Sequence, residues 1–547
     1  MKSRTLFFNF HIFKKDITRF APVWVIYIIG CLLVFTNTVS GSQPYQAVRD
    51  LDQCVMLITL ANFCYALLTA LLLYGDMFQS RLCNALHAMP LRREEWFFSH
   101  LASGLFVGFV PILIVALSFT PMLEYYWLTA FTWAGIAAIE YLFFFSLAVF
   151  CMFCAGNRYA SVLLYGILNF LSLLIGWFAE TLFFPKLYGF HFDWEAFWLF
   201  CPIVKVIQFD GYFRNLHSVS YYENYTPMWI YLAVIGVLSL VLLVGSLLLY
   251  RKRKLETAGD FLAVGVLKPV FRIVYTLTVG ALFQLFNEIF LANNDMGIFL
   301  IIGLAIGYFT GHMLIQRRVK IFTLRTGLGF LLVSGVLLGS IGLTALDPFG
   351  IIKYVPKPED VYSVAIRYEP IEHSGAPVLY LTEDEDIQTI LDVHQDALDN
   401  RENPKCPLYL TYTLNNGRQV TRQYSLCTRE SIETMNAYFS RPEMVLGYTD
   451  WNAFINSIEK VTYNERTFRD EEARDLLEQV KLDCEDGVMA QSWQYQEYTT
   501  IPETIGWLEY TDENGQFQYI TLYGTATHTL NWLRARDLLE SPNIYYK

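Results

Sequence analysis

Apolar positions dominate the first 349 residues in nine nearly unbroken runs: 22–38, 54–74, 96–119, 128–153, 159–177, 229–250, 274–291, 296–315 and 327–346. Each approaches the roughly 20 residues that a helix needs to cross a bilayer. From residue 350 the pattern changes. VYSVAIRY and PVLYLT alternate as strands do, and TEDEDIQTILDVHQDALD carries a helical period behind a capping box from Thr382 to Glu385. RDEEARDLLEQVKLD predicts another helix, acidic at its start as the helix dipole prefers. Hairpins are predicted at 407–426 and around Asn514-Gly515. The pattern therefore predicts an α-helical polytopic membrane protein of about nine spans with a C-terminal α+β domain.

Polar positions between the runs add detail. Residues 2–20 place Leu6, Phe7, Phe10, Phe13 and Ile17 near helical spacing, with Lys14, Lys15 and Asp16 elsewhere, which predicts an amphipathic helix on the membrane surface. Between spans two and three, Ser80 is positioned to cap a short helix. Leu82, Leu86 and Met89 fall on one side of it, Arg81, Asn84 and His87 on another, and Pro90 stops it before span three restarts. The loop 178–228 contains FDWEAFWLFCPIVKVIQFDGYF, which reads as two short helices, the first capped by Asp193 and the second opened by Pro202. Glycines four apart, Gly104/Gly108, Gly303/Gly307/Gly311 and Gly335/Gly339, predict spans that pack closely.

Charge then divides the chain. Residues 1–349 hold 23 Lys+Arg against 18 Asp+Glu, a net +5, whereas residues 350–547 hold 17 against 33, a net −16. The N-terminal segment and the loops after spans two, four, six and eight carry 19 Lys/Arg, and the opposite loops only Arg49, Lys186, Lys205 and Arg214. Positive charge stays on the cytoplasmic side, so the N-terminus is expected inside. Nine spans would then place residues 350–547 outside, in an extracytoplasmic domain.

The chemistry of catalysis is missing. There is no G-x-x-x-x-G-K-[ST], H-E-x-x-H, C-x-x-C or G-x-S-x-G, and the nine histidines show no metal-ligand spacing. No catalytic residue, metal site or cofactor is expected on this chain, and nucleic acid is not expected as a partner. Each histidine reads as an ordinary polar residue. Glu140 lies near the middle of span four, where a charge must be protonated, paired or facing a cavity. It reads equally as a substrate or proton site and as a helix–helix hydrogen bond. Cys406 and Cys427 flank the first hairpin; a three-residue Asn415-Asn416-Gly417 loop keeps its apolar face consistent by pairing Leu408 with Tyr424, and this takes the cysteines out of opposition.

The stretch SRLCNALHAMPLRREEWFFSHLASG resembles the coupling-helix segment of ABC-2 permeases, the membrane subunits of type V ABC exporters. Six spans, an N-terminal surface helix and CPIVKVI where a re-entrant pair would lie are similar to that family over roughly residues 1–255. The resemblance implies a six-span permease core at 1–255, followed by three additional spans (256–349) and the acidic domain (350–547). These additions resemble a subset of Gram-positive bacterial permeases, some associated with multidrug or cell-wall-antibiotic export. It further implies export of an amphiphilic or hydrophobic compound across the plasma membrane. The partners implied are a cytoplasmic ATPase, which would hold ATP and Mg, and a second permease. Arg81, Asn84, His87, Arg92 and Arg93 would contact the ATPase; Trp194, Trp198 and Pro202 would belong to a re-entrant outer gate. A membrane sensor or scaffold whose outer domain binds an envelope ligand is the alternative.

Overall fold

The computed structural model describes residues 8–39, 44–88, 91–123, 127–208, 226–253, 257, 259–291, 296–367, 378–401, 406–439, 441, 444, 455–463, 466–489, 504–511, 517–536 and 538–539. The chain divides into two compact units, Met1–Phe183 with Asp193–Gly342, and Phe184–Phe192 with Leu343–Lys547.

The first unit is helical. Its elements are α1 (Phe10–Arg19), α2 (Ala21–Val39), α3 (Pro44–Tyr74), α4 (Ser80–Ala88), α5 (Arg93–Phe119), α6 (Trp127–Cys154) and α7 (Arg158–Phe178). They continue with α8 (Glu195–Trp198), α9 (Pro202–Ile207), α10 (Thr226–Lys252), α11 (Leu267–Phe286), α12 (Met296–Gln316) and α13 (Leu324–Ala345). Among the described residues, nine helices are long and apolar enough to cross a membrane, and they fall on the nine predicted runs. The chain is a helical multi-pass membrane protein. The largest departure is α3, which starts ahead of its apolar run because the polar residues from Pro44 onward continue the same helix.

Helix α6 is the hub and packs on α3, α5, α7 and α10. Its Tyr141, Phe144, Phe145, Ala148 and Val149 are fully buried. Gly104 and Gly108 of α5 make this possible, since a Cβ there would come within 2.1 Å of Phe145 and 1.8 Å of Tyr141. Gly303 and Gly307 of α12 similarly meet Phe283 and the Thr276 carbonyl of α11. In lipid, such close approach gives the dispersion contact that hydrophobic burial cannot. Gly335 and Gly339 differ from expectation: among the described residues nothing lies within 4 Å of a Cβ built there.

The second unit contains two copies of one topology. β1 (Val361–Arg367), β2 (Val378–Leu381), α14 (Asp384–Asp399), β3 (Cys406–Leu414), β4 (Gln419–Leu426) and α15 (Arg429–Phe439) make an antiparallel sheet, order β2-β1-β3-β4, sharing a core with its two helices. β5 (Lys460–Tyr463), β6 (Arg466–Arg469), α16 (Asp470–Glu485), β7 (Thr504–Thr511), β8 (Phe517–Tyr523) and α17 (Thr527–Arg534) repeat it as β6-β5-β7-β8 around a second core. The first helix of each copy opens on three acids, Asp384-Glu385-Asp386 and Asp470-Glu471-Glu472, where the dipole favours them. Each later buries a pair, Ile390-Leu391 and Leu476-Leu477. Near its end an aspartate bonds to the start of the helix that follows. Asp396 accepts from the hydroxyls of Thr428 and Ser431, and Asp483 accepts from the backbone N–H groups of His528 and Thr529, both at 2.8 Å.

Two local expectations meet the structure here. The first hairpin has the three-residue loop, with Leu408 opposite Tyr424 and Tyr412 opposite Val420, and Gly417 takes the left-handed φ of 79° that this loop requires. Cys406 faces Leu426 across the ladder, and Cys427 is a free thiol. The capping box is not formed: Glu383 is the N-cap of α14, so Glu385 falls one position too early to reach back. The Asn514-Gly515 turn lies outside the described residues.

Candidate functional site

Helix α4 sits between two long helices, α3 and α5, and begins at Ser80 itself. Arg81, Leu82 and Asn84 are exposed and Cys83 is buried. The His87 side chain, Met89 and Pro90 lie outside the described residues. Arg92 is exposed, but Arg93 points back into the unit: its Nη1 donates to the carbonyls of Tyr250, Arg251 and Arg253 at 3.2, 3.0 and 3.2 Å. These include carbonyls of the end of α10, which a helix leaves without internal partners, and the negative end of the dipole suits a guanidinium. Arg251 Nε returns the link to Glu94 at 2.9 Å. Arg253 donates to the Met152 carbonyl at 3.0 Å, and its burial pushes its pKa down.

The foot of α5 also holds α1. Asn9 caps α1 with its side-chain oxygen, while its backbone N–H donates to Ser99 and its amide to Glu95. Asp16, read from the sequence as lying off the apolar face, is in fact buried, 2.7 Å from His100 Nδ1 and accepting from Ser103 at 3.0 Å. A surface helix seated by a carboxylate must present that carboxylate inward. The start of α5 is therefore bonded to α1 and α10 and leads directly from the α4 segment.

Glu140 is enclosed in α6. Thr59 donates to its Oε1 at 2.8 Å and Asn62 to its Oε2 at 3.5 Å. Asn62 donates also to the Ala137 carbonyl and accepts from Tyr27 at 2.6 Å. The carboxyl thus joins a hydrogen-bonded set linking α2, α3 and α6, with 1% of the residue exposed.

Two of the predicted re-entrant residues, Trp194 and Trp198, line a cavity of about 720 Å³. Asp193 accepts from the Glu195 N–H at 2.7 Å and so starts α8; Pro202 is the buried first residue of α9. Gly176 of α7 lets α8 seat closely, since a Cβ there would come within 2.8 Å of Trp194 and 2.9 Å of Phe197. Trp194 and Trp198 stack at 6.4 Å and form one wall with Trp177. Ile167 and Phe170 of α7 form a second, and Thr278, Leu282 and Leu285 of α11 a third. This volume lies within the usual range for small-molecule sites, roughly 300–1,000 Å³. Its chemistry suits an apolar body with few polar demands. Pro202 does not line it. Sequence reading missed the α11 wall, because a mostly apolar helix does not reveal which neighbour it will face.

In the second unit, residues 184–192 of the loop between α7 and α8 belong to the domain formed by the C-terminal part of the chain. Phe190 bridges to Arg422 on the edge strand β4, and Gln423 N–H donates to the Gly189 carbonyl at 3.1 Å. Tyr188 donates to the Ala397 carbonyl at 3.1 Å and lies under the Arg401 guanidinium. Gly189, with φ 79°, lies against the Tyr424 ring, 2.1 Å from where a Cβ would stand. The core beneath holds His394, wholly buried, with Nδ1 3.0 Å from the Tyr412 hydroxyl and Nε2 2.7 Å from that of Tyr424. A neutral imidazole satisfies both by donating once and accepting once. Burial, helped by the Arg422 charge, pushes its pKa down to about 4.

Among the described residues no group of three or more His, Cys, Asp or Glu side chains is placed to hold a metal ion. No protein-family model, curated protein or solved structure matches the chain.

Proposed function

We propose that this chain is the permease subunit of an ATP-driven exporter of amphiphilic or hydrophobic compounds. It would work in a bacterial plasma membrane with a second permease and a separate cytoplasmic P-loop ATPase carrying ATP and Mg. The observation that carries the reading is helix α4, exposed at Arg81, Leu82 and Asn84, whose following segment starts α5, and the foot of α5 is bonded to α1 and α10. A force applied at α4 enters helices rather than a loop. The basic side, holding α4, is then cytoplasmic by the charge rule, and the C-terminal domain is outside. Arg81, Asn84, His87 and Arg92 are the residues for ATPase contact, while Arg93 serves as an internal brace. The apolar cavity beside Trp194 and Trp198 is the candidate substrate site, and Glu140 belongs to the helix-packing network.

The test is co-purification and coupled turnover. The tagged full chain is expected to retain a P-loop ATPase whose hydrolysis rises with an amphiphilic substrate. Arg81→Glu combined with Asn84→Ala is expected to abolish retention without lowering the melting temperature. A well-folded chain that never retains an ATPase, or substrate efflux that survives ATP depletion, rejects the reading.

A sensor reading has one observation in its favour: the 184–192 segment is built into the C-terminal domain and runs directly into the Trp194–Trp198 helix. Ligand occupancy of that domain would then be felt in the membrane unit. A domain-directed ligand that alters proteolysis of the 193–208 region without any transport would favour it.

A further inference from the structure

We propose a binding site for an anionic phospholipid in the groove between Asn157, Tyr159, Phe261, α11 and the end of α12. It does not depend on the exporter reading. The groove encloses about 540 Å³. Its floor is apolar, formed by Phe261, Tyr275, Met313 and Leu314, and its rim carries Arg317 and Arg318. The floor matches an acyl chain and the rim a phosphate, and both lie in the first unit.

Three features select this occupant. The first is construction. Gly156 packs so tightly on the backbone of Thr257 and Asp260 that a Cβ would fall 2.2 Å from the Asp260 carbonyl. The Asn157 amide donates to that same carbonyl at 3.3 Å, and Gly259 N–H donates to the Gly156 carbonyl at 2.7 Å. The wall is thus a fixed part of the fold. The second is charge. Asp260 is the acid paired with Arg317, at 3.8 Å with both side chains about half exposed, while Arg318 on the rim and Lys320, two residues further on, are exposed. The carbonyl end of α12 offsets only about half a charge. The third is placement. The site lies where α12 ends and Tyr159 is 86% exposed and Val319 76%, so the mouth combines aromatic, apolar and cationic surface. Basic pockets at the ends of membrane helices recognise anionic head groups in this way.

The experiment uses the purified full chain in detergent, titrated with phosphatidylglycerol or phosphatidylcholine and read by native mass spectrometry. Preferential retention of phosphatidylglycerol is expected. R317Q/R318Q should weaken it by about tenfold or more, given roughly fivefold per basic residue at a membrane surface. R317K/R318K should keep most of it. Leu314→Trp, which fills the floor with the charges intact, should also release the lipid. Glycerol phosphate, a head group without chains, should fail to compete. Equal retention of the two lipids by the native chain overturns the proposal, as does undiminished preference in R317Q/R318Q or full competition by glycerol phosphate.

Discussion

At the scale of single residues, His394 makes the clearest quantitative statement. Its folded pKa of about 4 lies below the ordinary histidine value, so the folded domain binds fewer protons than the unfolded chain in between. Its contribution is fully present above about pH 6.5 and is lost progressively as pH falls toward 4, up to about 3 kcal/mol. Thermal unfolding of the chain followed between pH 7 and 4.5 should show this loss, and His394→Gln should flatten that pH dependence. A steric prediction stands beside it. Gly108→Val puts carbon where the Tyr141 ring lies, and overpacking of this kind costs about 1–3 kcal/mol or more, so a lower melting temperature in detergent is expected. The glycine was visible in the sequence as half of a four-residue pair. His394 was not, because reading every histidine as an ordinary polar residue overlooks its place on the buried stripe of Ile387, Ile390, Leu391 and Leu398. The two tyrosines that satisfy it come from strands whose register only the folded sheet fixes.

At the scale of elements, the brace and the cavity make separable predictions. Arg93→Ala removes three hydrogen bonds at the end of α10; bonds to charged groups contribute about 1.5–3 kcal/mol. Reduced stability is expected, together with faster hydrogen exchange over residues 247–253, while α4 keeps its surface. Leu282→Trp fills the cavity from the α11 side and should reduce binding of an apolar fluorescent probe with little change in melting temperature. The helices themselves were legible because each apolar run is local. Trp194 and Trp198 were legible too, since a loop that rich in aromatic residues demands cover. The opposing wall was not: nothing local separates Leu282 and Leu285 from Leu277 and Phe283, and Thr278 repeats the character of Thr276. Arg93 was grouped with Arg92 because both are cations in one loop, and only the end of α10 distinguishes them.

At the scale of the whole molecule, the span count and the loop 184–192 make the same statement by different routes. That loop follows the fifth long helix and the domain it joins follows the ninth, so nine crossings would put both on the same side of a membrane. If that side is outside, an impermeant maleimide should label Tyr362→Cys in intact cells above the background of native cysteines, and Arg81→Cys only after permeabilisation. Labelling in the reverse order would invert the orientation. The internal repeat escaped sequence reading because its halves keep their elements but not their spacing. The acidic helix starts, Asp384 and Asp470, are 86 residues apart, whereas Asn416-Gly417 and Asn514-Gly515 are 98 apart. A search for one fixed period misses such a pair.

The place of residues 184–192 against β4 has a consequence for biosynthesis. The ribosome makes this segment more than two hundred residues before it makes Arg422, Gln423 and Tyr424. Domains emerging in order normally fold in order, but here the loop must wait through four further spans for its partner strand. A chain truncated after α13 should therefore leave Tyr188 and Phe190 open to protease, and their protection should arrive only with the completed first sheet of the C-terminal domain. A strand made well after the membrane helices thus finishes the fold of a loop near the first third of the chain.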